Sequence, residues 1–328
     1  MKKITLNLHP REAAQKILKI LPSRRLRDVV ERRFGLASGK EETLEAIGKS
    51  YSITRERVRQ IENDAMRRLK RPDTLGEARQ IFSSLAKHLD DHGGVSEEQK
   101  LFNSLADGRL HNHVNFLMAL ADGVTRSGED DKYHHRWYTK KEAREAAEQI
   151  IERTIDKLAE SKKPITRERL FGIMKDNARS LMGDSPSEDS LDSYLAISKL
   201  IKQNPYGEFG LVSWGEISPS GVRDKAHAAI ARQGTPLHFR DVARAIDKAG
   251  WGAKKAHPQT VHNELIKDSR FVLVGRGLYA LKDWGYESGT VADVISSVIK
   301  ESRGPLAKND IVKRVLDKRR VKENTIVL

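Results

Sequence analysis

The chain has 328 residues, no cysteine, 60 Lys or Arg against 46 Asp or Glu, and a net charge of +14. That length suits two to four domains rather than one large core, and a chain without cysteine makes no disulfides and does no thiolate chemistry. Hydrophobic residues make up 38% and aromatic residues 6%, which fits small helical modules and argues against an aromatic-rich groove for stacking single-stranded bases. The charge is unevenly placed. Residues 1–72 hold 19 Lys or Arg and 9 Asp or Glu, so +10 of the total lies there and +4 on the remaining 256 residues. The electrostatic footprint of a nucleic-acid partner therefore falls on the N-terminal part.

In the first segment, MKKITLNLHPREAAQKILKIL, charges at Arg11, Glu12, Lys16 and Lys19 interrupt the apolar residues. Neither a signal peptide nor a membrane helix is expected there. Ala13, Ile17, Ile20 and Leu21 instead predict a packing helix. Membrane-surface binding is a weak reading, because the apolar stripes are narrow and carry no interfacial Trp or Phe. Ser23 to Phe34 reads as a helix with Leu26, Val29, Val30 and Phe34 on one face, ended by Gly35 at φ > 0. After the loop ASGKEE, Thr43 opens a short helix, and Thr54 sits where the N-cap of a longer basic helix belongs. Pro72 and Asp73 stop it. On this second helix Val58, Ile61, Ala65 and Leu69 make a buried stripe. Arg55, Glu56, Arg59, Gln60 and Asn63 fall on the opposite face. Arg pairs bidentately with guanine, Gln and Asn with adenine, and Glu accepts from cytosine. Periodicity alone leaves two readings open: a helix entering a major groove, or an ordinary amphipathic helix with a solvated face.

The stretch LPSRRLRDVVERRFGLASGKEETLEAIGKSYSITRERVRQIENDAMRRLKRP, Leu21 to Pro72, closely resembles region four of housekeeping bacterial sigma factors. The blocks TLEAIGK, TRERVRQIE and RRLKRP carry the likeness in order and spacing, over about 50 of the 328 residues. The resemblance implies a helix-turn-helix that reads a −35-type promoter element in double-stranded DNA and docks on the β flap of core RNA polymerase. It implies Arg55, Glu56, Arg59 and Gln60 as base readers, and Thr54, Arg57, Lys49 and Arg67 at the DNA backbone. Nothing in the sequence resembles the family's strand-melting region, so complete sigma activity is not expected.

Beyond this stretch a helical connector is expected around Leu75 to Leu89, ended by the turn Asp90-Asp91-His92-Gly93-Gly94. Then the chain repeats. Lys163-Pro164-Ile165, Thr235-Pro236-Leu237 and Gly304-Pro305-Leu306 recur at steps of 72 and 69 residues, and Trp214-Gly215 and Trp284-Gly285 stand 70 apart. Such a period indicates tandem copies of one small domain. The best-defined copy predicts helices over Val222–Arg232, Phe239–Ala249 and Pro258–Lys267, with Pro258 in the first turn. Two apolar runs around Gly275-Arg276-Gly277 then predict a β-hairpin. The blocks TVHNELIKD and FVLVGRGLYAL resemble HARE-HTH domains, a winged-helix family found also in the δ subunit of bacterial RNA polymerase. Arg276 at the hairpin tip is then a candidate wing contact, a solvated turn arginine being the plain alternative. His257 and His262, on the third helix, are nucleic-acid candidates only against a surface or cap role. Residues from Gly289 repeat the first half of this copy and stop at Leu328 before any hairpin, so an incomplete or poorly ordered copy is expected.

The predicted fold is mainly α and multidomain: a helix-turn-helix over 1–72, then tandem winged-helix, HARE-like repeats with small β-hairpin wings. The divisions are 73–145 (a connector or degenerate winged helix), 146–219 (a degenerate repeat), 220–287 (the HARE-like unit) and 288–328 (an incomplete repeat). No phosphate loop, nucleophile elbow or dinucleotide fingerprint is present, and no cofactor is expected. His111, His113, His134 and His135 beside Glu129, Asp130 and Asp131 are zinc-ligand types, but His111 and His113 miss helical i,i+4 spacing. No metal and no catalytic residue is assigned. Trp137, Trp214, Trp251 and Trp284 read as core or junction residues. The expected protein is a non-enzymatic, cytoplasmic, nucleoid-associated transcription initiation protein. Two other readings stand beside it: a polymerase-associated regulator or repressor without sigma activity, and a DNA-processing enzyme delivered by its HARE-like unit.

Overall fold

The computed structural model describes residues 9–71, 78–252, 254–286, 291–302, 304–318 and 326. It is mainly helical, with three small antiparallel sheets among the described residues. The chain divides into two compact units, one of residues up to Ser161 with Glu168–Ile201, the other of Lys162–Arg167 with the chain from Lys202. Pro72 and Asp73, the start of the expected connector and most of the segment KENTIVL lie outside the described residues.

The first unit opens with α1 (Pro10–Leu18), α2 (Arg24–Arg33), α3 (Leu44–Tyr51) and α4 (Arg55–Leu69). Ser23, Thr43 and Thr54 cap the last three, each hydroxyl accepting the N–H of the residue three positions on. Gly35 ends α2 at φ +61. Helix α2 is a wall between two cores. Val29 packs with Ile47 and Val58, and α3 and α4 close over them. Its neighbour Val30 joins Ala13, Ile17, Leu18 and Leu21 in a different core. That second core runs on into α5 (Ala78–Asp91), α6 (Glu98–Leu105) and α7 (His111–Leu120). Phe116 of α7, fully buried, meets Phe34 edge-on at 5.2 Å. Ile20 departs from the expected stripe. Helix α1 stops at Leu18, the chain turns, and Ile20 is left 38% exposed while Ala14 and Leu18 fill the inner face.

After α7 come β2 (Thr125–Ser127) and β3 (Arg136–Tyr138). Strand β3 lies between β2 and β1 (Val95–Glu97), with Trp137 opposite both Ser96 and Arg126. Helices α8 (Lys141–Ser161), α9 (Arg167–Met182) and α10 (Glu188–Ile197) come next, then paired β4 (Ile201–Gln203) and β5 (Phe209–Leu211). Between α8 and α9, Ile165 exchanges both backbone hydrogen bonds with Phe209, at 2.9 and 2.7 Å.

The second unit contains α11 (Val222–Gln233), β6 (Leu237–His238), α12 (Phe239–Ala249), α13 (Pro258–Lys267), β7 (Phe271–Gly275) and β8 (Leu278–Leu281). These bounds fall within a residue of the predicted helices, and Arg276-Gly277 makes the predicted hairpin turn. The order helix, strand, helix, helix, hairpin, with the final strand beside the first, is the order already seen from α5 to β3. Helices α14 (Val291–Glu301) and α15 (Lys308–Lys318) pack through Val294, Val298 and Val315.

A buried pair of histidines links α5 to α6. His88 bonds Ser104 at 2.9 Å and lies tilted against His92, their ring centres 4.5 Å apart. Burial, and secondarily His92, pulls His88 down to about 4. An unfolded histidine binds its proton near 6.5, so the unfolded state holds more protons between these values and stability falls as pH drops from 6.5 to 4. The loss is about 3 kcal/mol. Denaturant unfolding across this range should show it, with a shallower slope in His88→Gln; equal slopes would refute the assignment.

Candidate nucleic-acid interface

Helices α3 and α4 meet through a tight turn. Ser52 takes the left-handed conformation, φ 55 and ψ 40, that ends α3. At Gly48 the helices leave no room for a side chain: a Cβ there would lie 2.8 Å from the Ile53 carbonyl oxygen. Gly48→Ala should therefore cost about 1–3 kcal/mol through overpacking, despite alanine's better helix propensity. A higher unfolding midpoint for the variant would show that the approach is not close. Gly48 is absent from the sequence-based candidates, since its only signal is a glycine inside an otherwise helical pattern.

Val58, Ala65 and Leu69 are fully buried and Ile61 is half-buried, as the stripe predicts. Arg55, Glu56, Arg57, Arg59, Gln60, Asn63 and Arg67 are all exposed. They span about 18 Å along one side of α4 at 1.5 Å per residue. Two pairs pre-arrange this face. Arg59 forks onto Glu56 at 2.9 and 2.7 Å, and Arg57 donates to Gln60 at 3.0 Å. The bond from Arg59 holds the Glu56 carboxyl below its ordinary range. Arg55, by contrast, makes no side-chain hydrogen bond among the described residues. The Thr54 hydroxyl accepts the Arg57 N–H at 3.2 Å, while Lys49, exposed on α3, pairs with Glu45 at 3.3 Å.

Behind the face a polar frame holds the helices in register. Arg32 of α2 forks onto Glu42 at 3.0 and 2.7 Å and donates to Ser50 at 2.7 Å. The Arg32 fork holds Glu42 below the usual carboxylate range. Tyr51 donates to Asp28 at 2.7 Å with the Arg25 guanidinium 4.8 Å from its ring centre. Such a frame does for a binding helix what supporting hydrogen bonds do for any preorganised site.

Residues 18–71 match the sigma-70, region 4 family. The chain is 49% identical over 63 residues to the RNA polymerase sigma factor SigA of Nostoc sp.. It is 48% identical over 63 residues to SigA of Synechocystis sp. and 47% identical over 60 to SigA of Clostridium acetobutylicum. These alignments cover 18–19% of this chain and 15–16% of the relatives, so the chain spans about a sixth of the proteins it matches. The matched segment carries α2, α3 and α4, and with them the whole exposed face just described.

The candidate metal-binding histidines do not converge. His113 is buried on α7, His111 sits 3.1 Å from Gln99, and His135 lies 3.6 Å from Glu129. Glu129 also pairs with Lys199. Asp130 belongs to an ion cluster around the buried Arg136, which also engages Glu148 at 2.8 Å. Among the described residues no three His, Asp, Glu or Cys side chains are placed to hold a metal ion, and no helix is long and apolar enough to cross a membrane. Arg276 is exposed at the turn between β7 and β8.

Proposed function

We propose that this chain is a sequence-reading, non-enzymatic DNA-binding protein of bacterial transcription initiation. Its region-four segment places α4 in the major groove of a −35-type element. Arg55, Glu56, Arg59 and Gln60 read bases, with Thr54, Arg57, Lys49 and Arg67 at phosphates. The observation that carries this reading is the exposed, capped and pre-bonded face of α4 within a segment that matches sigma-70, region 4. Docking on the β flap of core RNA polymerase, and winged-helix, HARE-like repeats after the segment, belong to the same proposal. The order of helices and strands that runs from α5 to β3 and again from α11 to β8 supports the repeats.

A second reading is a polymerase-associated regulator or repressor that binds such an element without starting transcription. It is favoured by the short span of the SigA likeness and by the first unit's second core. There the apolar residues of α1 and α2 are already covered by α5, α6 and α7 of the same chain. Selection of duplexes from a random pool by the full chain tests the DNA reading: enrichment of one −35-like motif is expected, and none would defeat it. Transcription with core polymerase and no other sigma factor separates the two. Promoter-specific initiation supports the first, and repression of a sigma-driven promoter carrying the motif supports the second.

A further inference from the structure

His113 of α7 is 4% exposed, and its Nδ1 has no hydrogen-bond partner among the described residues. The two other buried histidines of this unit, His88 and His92, are both bonded. Leaving a buried nitrogen unpaired is costly, because it has lost its water without a replacement. The ring is not sealed in the core, however. It forms part of the wall of a cavity of about 230 Å³ between α1, α2, α7 and the loop that follows α2. That volume exceeds the roughly 150 Å³ that holds benzene and falls below the roughly 300 Å³ at which drug-sized sites begin. It suits a small metabolite.

The rest of the wall divides by chemistry. Ala14, Leu18 and Leu36 give it an apolar side, while Arg11 and Gln15 of α1 and Glu31 of α2 give it a polar one. None of these three polar side chains makes a hydrogen bond or ion pair among the described residues. On the same helix as Glu31, Arg32 and Arg33 each reach a carboxylate. A cation and a carboxylate thus open on one cavity without meeting each other. Burial, and then Arg11 and His9, hold the His113 imidazole below its ordinary range. It is neutral at pH 7, with one nitrogen donating and the other accepting. An amide or a hydroxyl, which both donates and accepts, can meet either tautomer.

The walls are fixed by contacts of their own. Asn112, next to His113, donates to the Gly35 carbonyl at 3.2 Å. The Leu36 N–H donates to the Glu31 carbonyl at 2.8 Å. The loop is therefore tied to both α7 and α2, and the cavity is preformed, as ligand sites usually are.

We propose that this cavity binds a free α-amino acid with an uncharged polar side chain. Arg11 takes the carboxylate, which its planar fork matches, and Glu31 takes the ammonium. His113 takes the side-chain amide or hydroxyl, and Ala14, Leu18 and Leu36 flank the carbons between. The site lies apart from the exposed face of α4 and stands without the DNA reading. Calorimetric titration of the full chain at pH 7 tests it, with L-glutamine, L-asparagine, L-serine and L-threonine as ligands and L-leucine and sodium acetate as controls. At least one of the four should bind saturably and raise the thermal midpoint as occupancy rises. Leucine and acetate should bind about tenfold or more weakly than that ligand, since each lacks a hydrogen bond to a waiting polar group. Arg11 is exposed and Glu31 half-buried, so Arg11→Ala and Glu31→Gln should leave the ligand-free midpoint in place. Each should weaken the ligand about tenfold or more, as losing a hydrogen bond to a charged group does. His113→Phe, which fills the same place without a nitrogen, should abolish the preference over leucine; if that variant does not fold, the Arg11 and Glu31 variants decide. Saturable binding of none of the four overturns the proposal and leaves water as the occupant. So does acetate binding as tightly as the amino acid, which would make this an anion site on Arg11 alone. Unchanged affinity in both Arg11→Ala and Glu31→Gln would place the ligand elsewhere and overturns it equally.

Discussion

Phe116→Ala is expected to cost about 3–5 kcal/mol and to weaken duplex binding, although Phe116 lies far along the chain from α4. The side chain is fully buried in the core shared by α1, α2, α4, α5, α6 and α7. Its edge-on meeting with Phe34 joins the region-four segment to α7. Emptying that position leaves a cavity against α2, the helix that also backs α3 and α4 through Val29. A domain's whole stability is about 5–15 kcal/mol, so the loss reaches α3 and α4. For the same reason, residues 1–71 severed from the remainder should not fold cooperatively. Leu18, Leu21, Val30, Ala65 and Leu69 would lose their partners on α5, α6 and α7. Chemical denaturation of the full-length variant and a melting curve of the fragment test this. A fragment melting as sharply as the full chain would mean that the shared core is dispensable.

How the sequence divides between legible and illegible depends on which forces are local. Caps, stripes and the hairpin turn are set by neighbours in sequence. Thr43 and Thr54 announce α3 and α4, and Gly275-Arg276-Gly277 announces the β7–β8 turn. The near-exact bounds of α11, α12 and α13 have the same origin, since Gly221, Gly234, Gly250 and Pro258 punctuate them. Partnership is not local. Val29 and Val30 look alike in the pattern, and nothing near them says that they face different cores. Ile20 fits the α1 stripe by spacing, yet the helix ends two residues before it. Ser52 holds a left-handed turn where glycine would be the expected signal. On the candidate face the residue types are readable, while the Glu56–Arg59 and Arg57–Gln60 pairings need side-chain geometry.

The pairings on α4 lead to the second large effect. In the proposed reading Arg55 and Arg59 contact guanine, each contact being worth about 1–3 kcal/mol of discrimination. Arg55→Ala with Arg59→Ala should therefore lower the ratio of specific to random binding by about 2–6 kcal/mol, where additivity holds. The single variants should differ. Arg55 has no side-chain hydrogen bond among the described residues, so Arg55→Ala removes one reader and one cation and weakens the specific duplex most. Arg59 holds Glu56, so Arg59→Ala also frees a carboxylate that phosphates repel. Specific and random binding should then both fall, and fall further when salt is low, where repulsion is less screened. Glu56→Ala should do the reverse on random duplex, raising affinity by removing a negative charge, while relaxing preference at the base Glu56 reads. In Arg59→Ala with Glu56→Ala the random-duplex penalty of the arginine change should shrink, and that coupling is the mark of the pair. Titrations of the selected and scrambled duplexes by all five variants decide it. If Glu56→Ala left both affinities unchanged, or if the double variant were simply additive, the pair would be an ordinary surface bridge and α4 would read through Arg55 and Gln60 alone.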